Sequence, residues 1–227
     1  MKNAGEWNVE RLLDEIRDEV CATSDYTGRA KLAERVIEAI RQVPRHAFVP
    51  EDWQSGAYCN SPLPIGHAQT ISQPYVVALM TDLIQPCADD EVLEVGTGSG
   101  YQAAVLASLV KQVYSLEIIE ALATTARERL QRLGYANVKV QAGNGCFGWP
   151  EHAPYDAVLV TAAAPQIPQA LIEQLKPGGR LVMPVGDRYS GQELRLLKKD
   201  ERGRLEQRSV LPVRFVPLIG TAQCSSI

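Results

Sequence analysis

Residues 92–107, VLEVGTGSGYQAAVLA, are the stretch from which the fold of the whole chain can be read. A short apolar run containing Glu94 passes through Gly96, Gly98 and Gly100 into a segment rich in alanine and leucine, the pattern of a strand, a tight turn and a helix. Glycine lets the backbone turn sharply and lets a ligand approach the main chain without a Cβ in the way. Twenty-one positions after Gly96 comes Glu117, at the end of the next strand-like run, where a carboxylate can accept hydrogen bonds from two ribose hydroxyls. The two features together predict a nucleotide-type loop at the carboxyl end of a parallel strand. That loop does not suit a pyrophosphate, because a dinucleotide fingerprint wants a small residue at the third glycine position and Tyr101 stands there.

Outward from the loop, strand-like and helix-like runs alternate. Candidate strands cover residues 92–96, 112–118, 138–143, 155–162 and 180–185, and helical segments cover about 74–84, 101–109, 120–133 and 168–175. Such alternation is the signature of a parallel sheet covered on both faces. Two further strand-like runs, 193–198 and 209–218, follow with no helical pattern between them, so an antiparallel hairpin is expected at one sheet edge. Before Pro74, apolar residues recur at helical spacing in Leu12, Leu13, Ile16 and Val20, and again in Leu32, Val36, Ile37 and Ile40, on either side of a break at 24–28. Two amphipathic helices are predicted there. Pro44 and Pro50 bracket an extended piece, and Pro62, Pro64 and Gly66 continue a loop-like stretch up to Ser72, long enough to carry function. The expected class is α/β and Rossmann-like, with a mostly parallel doubly wound sheet, a C-terminal antiparallel edge and an N-terminal helical extension. A single domain is expected over residues 1–227, in which 1–73 supplies helices and a cleft loop and 74–227 the sheet and hairpin.

Composition narrows the partners. The chain has 227 residues, 45% apolar and 22% charged, the balance of a protein that buries a core. Its net charge of -4 opposes a surface built to neutralise phosphates, so nucleic acid is not expected as a partner. Cys21, Cys59, Cys87, Cys146 and Cys224 form no CxxC pair, and His46, His67 and His152 are scattered without ligand spacing, so neither a disulfide framework nor a metal is expected. The first twenty residues carry charges every few positions and no long apolar run occurs elsewhere; no membrane association and a cytoplasmic address are expected. A monomer is expected.

Glu94 followed by Gly96, Gly98 and Gly100 resembles the acid-x-Gly-x-Gly-x-Gly pattern of S-adenosylmethionine enzymes. With VPRHAFVP (43–50), SPLPIGHAQTISQP (61–74), APYDAVLVTAAAP (153–165), LKPGGRLVMPVG (175–186) and VRFVPL (213–218), the chain resembles the protein-L-isoaspartate O-methyltransferase family from about residue 36 to 218. The resemblance implies S-adenosyl-L-methionine as cofactor, S-adenosyl-L-homocysteine as product, and damaged proteins or peptides containing L-isoaspartate as partners. Methylation of the isoaspartyl carboxylate would begin repair through a succinimide. Glu94, Gly96, Thr97, Gly98 and Gly100 would hold the methionine end of the cofactor, Glu117 the ribose, and Asn144 with Gly145 the adenine. Substrate would meet Ile65, Gly66, Thr70, Ser72, Thr161, Ala162, Val213 and Arg214, with Ser72 as the catalytic residue.

An isoaspartyl carboxylate is already ionised at pH 7, so the reaction needs no general base and rests on positioning in a water-excluding pocket. Three points stay open at this level. Ser72 precedes Gln73, Pro74 and a periodic helix, the setting of an N-cap. Where the family usually has Gly-Asp-Gly, this chain has Gly143, Asn144 and Gly145, which exchanges a charge-assisted bond for a neutral one at a cost on the order of 1 kcal/mol. A methyltransferase of the same fold with another acceptor, or a non-catalytic protein that binds S-adenosylmethionine, are the alternatives.

Overall fold

The computed structural model describes residues 9–187, 189 and 191–220; Cys224 lies outside them. The chain opens with three helices, α1 (Val9–Ala22), α2 (Ser24–Thr27) and α3 (Glu34–Gln42). The expected break at 24–28 is a one-turn helix, closed by Gly28 at φ +66°. Two 3-10 turns, Arg45–Phe48 and Glu51–Gly56, lead to β1 (Leu63–Gly66) and β2 (Gln69–Ile71), an antiparallel hairpin separate from the main sheet. The sequence reading placed a loop here. The hairpin escapes it because Pro62 and Pro64 argue against a strand, and because the turn places His67 (φ +50°) and Ala68 (φ +56°) in the left-handed region without the usual Asn-Gly signal.

From Pro74 the alternation holds: α4 (Pro74–Ile84), β3 (Glu91–Val95), α5 (Tyr101–Ala107), β4 (Gln112–Glu117), α6 (Glu120–Arg132), β5 (Val138–Ala142), β6 (Tyr155–Val160), α7 (Gln169–Glu173), then β7 (Leu175–Asp187), β8 (Gly191–Lys199) and β9 (Leu205–Val213). The seven strands lie in the order β5-β4-β3-β6-β7-β8-β9. The first five are parallel, and β8 and β9 form the antiparallel edge. Strand β7 begins five residues earlier than expected, because pairing with β6 resumes across an irregularity between Tyr155 and Ala157 opposite the Pro177-Gly178-Gly179 segment. The last strand ends at Val213, not at 218; the chain then leaves the sheet and Pro217 bridges to Ala163 beyond the end of β6.

The pleat sends Val92 to one face of the sheet and Leu93 and Val95 to the other. The first face packs against α4 and α5, α1 and α3 pack on those helices in turn, and one apolar core runs from Leu12 through Leu79 and Val105 to Val210. The second is closed by Trp149 and by Leu171 of α7. Sequence order reverses between β3 and β6, and a doubly wound sheet opens its ligand crevice at the carboxyl ends of the strands at such a point. Among the described residues no helix is long and apolar enough to cross a membrane.

Candidate active site

The glycine loop after β3 is tied down from three sides. The amides of Gly96 and Thr97 both donate to the Leu116 carbonyl at the end of β4 (2.8 and 3.2 Å). Thr161, just beyond β6, donates its hydroxyl toward the carbonyls of Gly96 (2.7 Å) and Val95 (3.2 Å). Glu117, 6% exposed, accepts the Gly98 amide on Oε2 (2.8 Å) and the Ile119 amide on Oε1 (3.0 Å). Each Glu117 oxygen keeps a second lone pair for a ligand. The glycines do different work. Gly96 sits at φ +97°, and a Cβ there would lie 2.2 Å from Thr161 Oγ1, so no side chain fits. Gly100 also has a positive φ, but a Cβ on it would press on Leu130 of α6 at 3.2 Å; it serves helix packing.

Behind the loop, Glu94 is fully buried. Thr97 donates to Ser115 (2.6 Å) and Ser115 donates to Glu94 Oε2, while Glu94 Oε1 has no hydrogen-bond partner among the described residues. Burial pushes its carboxyl up to about 8, with the Ser115 hydroxyl opposing and the Glu117 charge adding to the rise. A carboxyl near 4.5 in the unfolded chain and near 8 in the folded one keeps its proton only in the folded state between those values. Rising pH therefore favours unfolding across that window and has no further effect through Glu94 above it. Thermal melts of the ligand-free protein should show the wild type losing stability between pH 5 and 8 relative to Glu94→Gln; parallel curves would refute the assignment.

Two clefts meet at this end of the sheet. The first, about 790 Å³ of space open to solvent, has the glycine loop and Glu117 on one side and Thr70, Ile71 and Ser72 of the hairpin on the other. The second, about 1090 Å³, runs between Glu19 of α1, the Ser72–Val76 segment and the end of β9 with the strap that follows it. Thr70, Ser72, Thr161 and Val216 line both, so the clefts open into each other at these residues. Ser72 is held by its backbone. Arg45, fully buried, donates from Nη2 to the Ser72 carbonyl (2.8 Å) and to that of Ser61 (3.3 Å), and from Nε to that of Ala57 (2.9 Å). Its guanidinium lies over the Tyr101 ring, 4.9 Å from the centroid. Burial lowers its pKa, against the raising influence of Tyr101.

The family model for protein-L-isoaspartate(D-aspartate) O-methyltransferase matches residues 20–223. The chain belongs to the protein-L-isoaspartate O-methyltransferase family. It is 57% identical to protein-L-isoaspartate O-methyltransferase 2 of Syntrophobacter fumaroxidans, over 92% of this chain and 85% of that one. It is also 57% identical to protein-L-isoaspartate O-methyltransferase 2 of a Polaromonas species, over 92% and 99%. Among solved structures, a Plasmodium falciparum beta-aspartate methyltransferase in complex with S-adenosyl-L-homocysteine superposes with a TM-score of 0.76 at 25% identity, covering 93% of this chain and 98% of that one.

Of the residues expected to form the methyltransferase cofactor site, Gly96, Thr97, Gly98, Glu117 and Gly145 line the first cleft, and Glu94, Gly100 and Asn144 do not. The Asn144 Oδ1 accepts the Cys146 amide (3.0 Å), capping the turn Gly145–Phe147. Of the expected substrate residues, Thr70, Ser72, Thr161, Val213 and Arg214 line the second cleft and Ala162 the first. Ile65 and Gly66 line neither; Ile65 Cδ1 instead packs over the glycine loop, 3.4 Å from where a Cβ of Gly98 would be. The N-cap alternative for Ser72 is corrected: Pro74 takes the first helical position, so the N-cap is Gln73, which makes no side-chain cap bond. Sequence reasoning missed Val216–Ile219, although these overlap VRFVPL, and Ile118, which follows the end of β4 and lines the first cleft. It also missed Glu19, Gln73 and the anchoring role of Arg45.

Proposed function

We infer that this chain transfers a methyl group from S-adenosyl-L-methionine to the carboxylate of L-isoaspartyl residues in damaged proteins and peptides, the first step of repair through a succinimide. The observation that carries this reading, with family membership, is the junction of two clefts at Thr70, Ser72 and Thr161.

The first cleft suits the cofactor on this chain's own chemistry. Glu117 has free lone pairs for two ribose hydroxyls, Gly96 and Gly145 leave the wall bare where a Cβ would collide with Thr161 or Val95, and buried Glu94 braces the glycine loop from behind through Ser115 and Thr97. Gly145 borders the adenine end, with Asn144 acting through the turn it caps. When bound, S-adenosylmethionine supplies a methyl group on a positively charged sulfur. The protein's part is to position and to dehydrate. Ser72 offers its hydroxyl to the substrate carboxylate, Thr70 and Thr161 flank it, and Ala162, Val213 and Val216 exclude water. Arg214, exposed at the rim, favours an anionic acceptor by long-range attraction. As carboxylate and sulfonium charges cancel in the transition state, a low-dielectric junction favours reaction.

In this reading residues 1–227 act as one domain, monomeric and cytoplasmic, on protein partners and not on nucleic acid or membranes; the net charge of -4 supports the exclusion of polyphosphates. The test is transfer of labelled methyl to a short L-isoaspartyl peptide and to its aspartyl counterpart. Base-labile label is expected on the isoaspartyl peptide alone. Absence of transfer with cofactor binding intact would favour another acceptor or a binding-only protein.

A further inference from the structure

We propose that Glu19 makes the second cleft select substrates carrying a cationic side chain next to the isoaspartyl residue. The inference rests on the isoaspartyl reading above. Helix α1 buries Leu12, Leu13, Ile16 and Val20 in the core, and Glu19, beside Val20 at the border of that face, lines the second cleft. Its carboxylate is oriented: Oε2 accepts from Asn60 Nδ2 (2.7 Å) and Gln73 Nε2 (2.9 Å), and Oε1 lies 3.2 Å from the same Gln73 nitrogen. Asn60 in turn accepts the Tyr75 amide through its side-chain oxygen (3.0 Å), so the arrangement is fixed to the start of α4.

Both donors are neutral amides, and among the described residues no lysine, arginine or histidine nitrogen lies within 4 Å of Glu19. The negative charge is thus held in place and left uncompensated in a cleft wall, with acceptor capacity remaining on Oε1. A glutamine keeps one acceptor oxygen for Asn60 and Gln73; what it lacks is the second acceptor and the charge. Gln73 follows Ser72 directly, so Glu19 stands about one side chain away from the junction where the isoaspartyl carboxylate would sit, the reach of a neighbouring peptide residue.

The test compares kcat/KM for isoaspartyl peptides of equal length that carry lysine or glutamate immediately before or immediately after the isoaspartyl residue. Both positions are needed because Arg214, on the same cleft, would favour an acid on its own side. At low ionic strength the wild type should prefer lysine by about fivefold at one position, the span of a single partly exposed ion pair, and added salt should shrink that ratio. Glu19→Gln should bring the ratio close to one and Glu19→Lys should invert it, while Glu19→Asp retains it. An unchanged ratio in Glu19→Gln, or an equal loss on both peptides, overturns the proposal and leaves Glu19 a purely structural residue. A wild type that methylates neither peptide refutes the isoaspartyl reading itself, which is a separate and distinguishable failure.

Discussion

Replacing Glu117 with alanine is expected to weaken S-adenosylmethionine binding by two to four orders of magnitude. Two losses add. A carboxylate that accepts two ribose hydroxyls contributes on the order of 1.5–3 kcal/mol for each charge-assisted bond. The same carboxylate accepts the Gly98 and Ile119 amides at 2.8 and 3.0 Å, so its removal leaves two donors unpaired and releases the glycine loop from the end of β4. The fold should survive. Glu117 lies at the sheet's carboxyl edge, and the β3–β4 ladder from Glu91–Gln112 to Val95–Leu116 does not use its side chain. Titration calorimetry with S-adenosylmethionine, beside a thermal melt, separates the two effects. A loss of affinity below tenfold would mean that Glu117 does not touch the cofactor, and a lowered melt beside it would leave Glu117 the role of ordering the loop alone.

How much of this was legible before the structure depended on whether the signal was local. The strand-glycine-helix unit at 92–107 announces itself because an apolar run, positive-φ glycines and a helix-forming segment are all properties of adjacent residues. The same holds for the alternation that follows and for the antiparallel edge, whose short connection leaves no room for a crossover. The β1–β2 hairpin was hidden because its turn puts His67 and Ala68 where glycine or asparagine is expected. The extension of β7 back to Leu175 was hidden because Pro177, Gly178 and Gly179 read as a breaker, whereas pairing to β6 carries the strand past them.

The site divides in the same way. Gly96, Gly98 and Glu117 were readable from spacing, because backbone conformation and strand ends fix where they go. Ser72, Thr161 and Val213 were carried only by family resemblance, since nothing local distinguishes them. Glu19 on its amphipathic helix has the pattern of an ordinary solvated acid; only the packing of α1 beside α4 brings it to Asn60 and Gln73. Arg45 is the opposite case. A fully buried arginine is uncommon enough to need a reason, and the reason is tertiary: three carbonyls from the segment 57–72 converge on it.

That convergence gives the Ser72 prediction its discriminating power. Ser72→Ala is expected to lower kcat by about 100-fold through lost orientation of the attacking carboxylate, not through lost charge stabilisation, because the carboxylate's charge falls as the methyl group is transferred. Affinity for S-adenosylmethionine should stay within about twofold, and the melting temperature within about 1 °C, because a half-buried hydroxyl with no partner contributes little to stability. The separation is possible because the backbone at Ser72 is fixed independently of its side chain: Arg45 binds its carbonyl, Ile71 before it is buried, and Gln73 after it is tied to Glu19. The Ser72 hydroxyl itself makes no hydrogen bond to any described residue and is not a helix cap, so its deletion removes nothing the fold uses. Single-turnover transfer to an isoaspartyl peptide at saturating cofactor isolates the step. If kcat is unchanged, the carboxylate is oriented without Ser72, by Thr70 and Thr161, which border the same junction. If cofactor affinity falls in step with kcat, Ser72 belongs to the wall of the first cleft alone, and the junction of the two clefts is not where the methyl group is transferred.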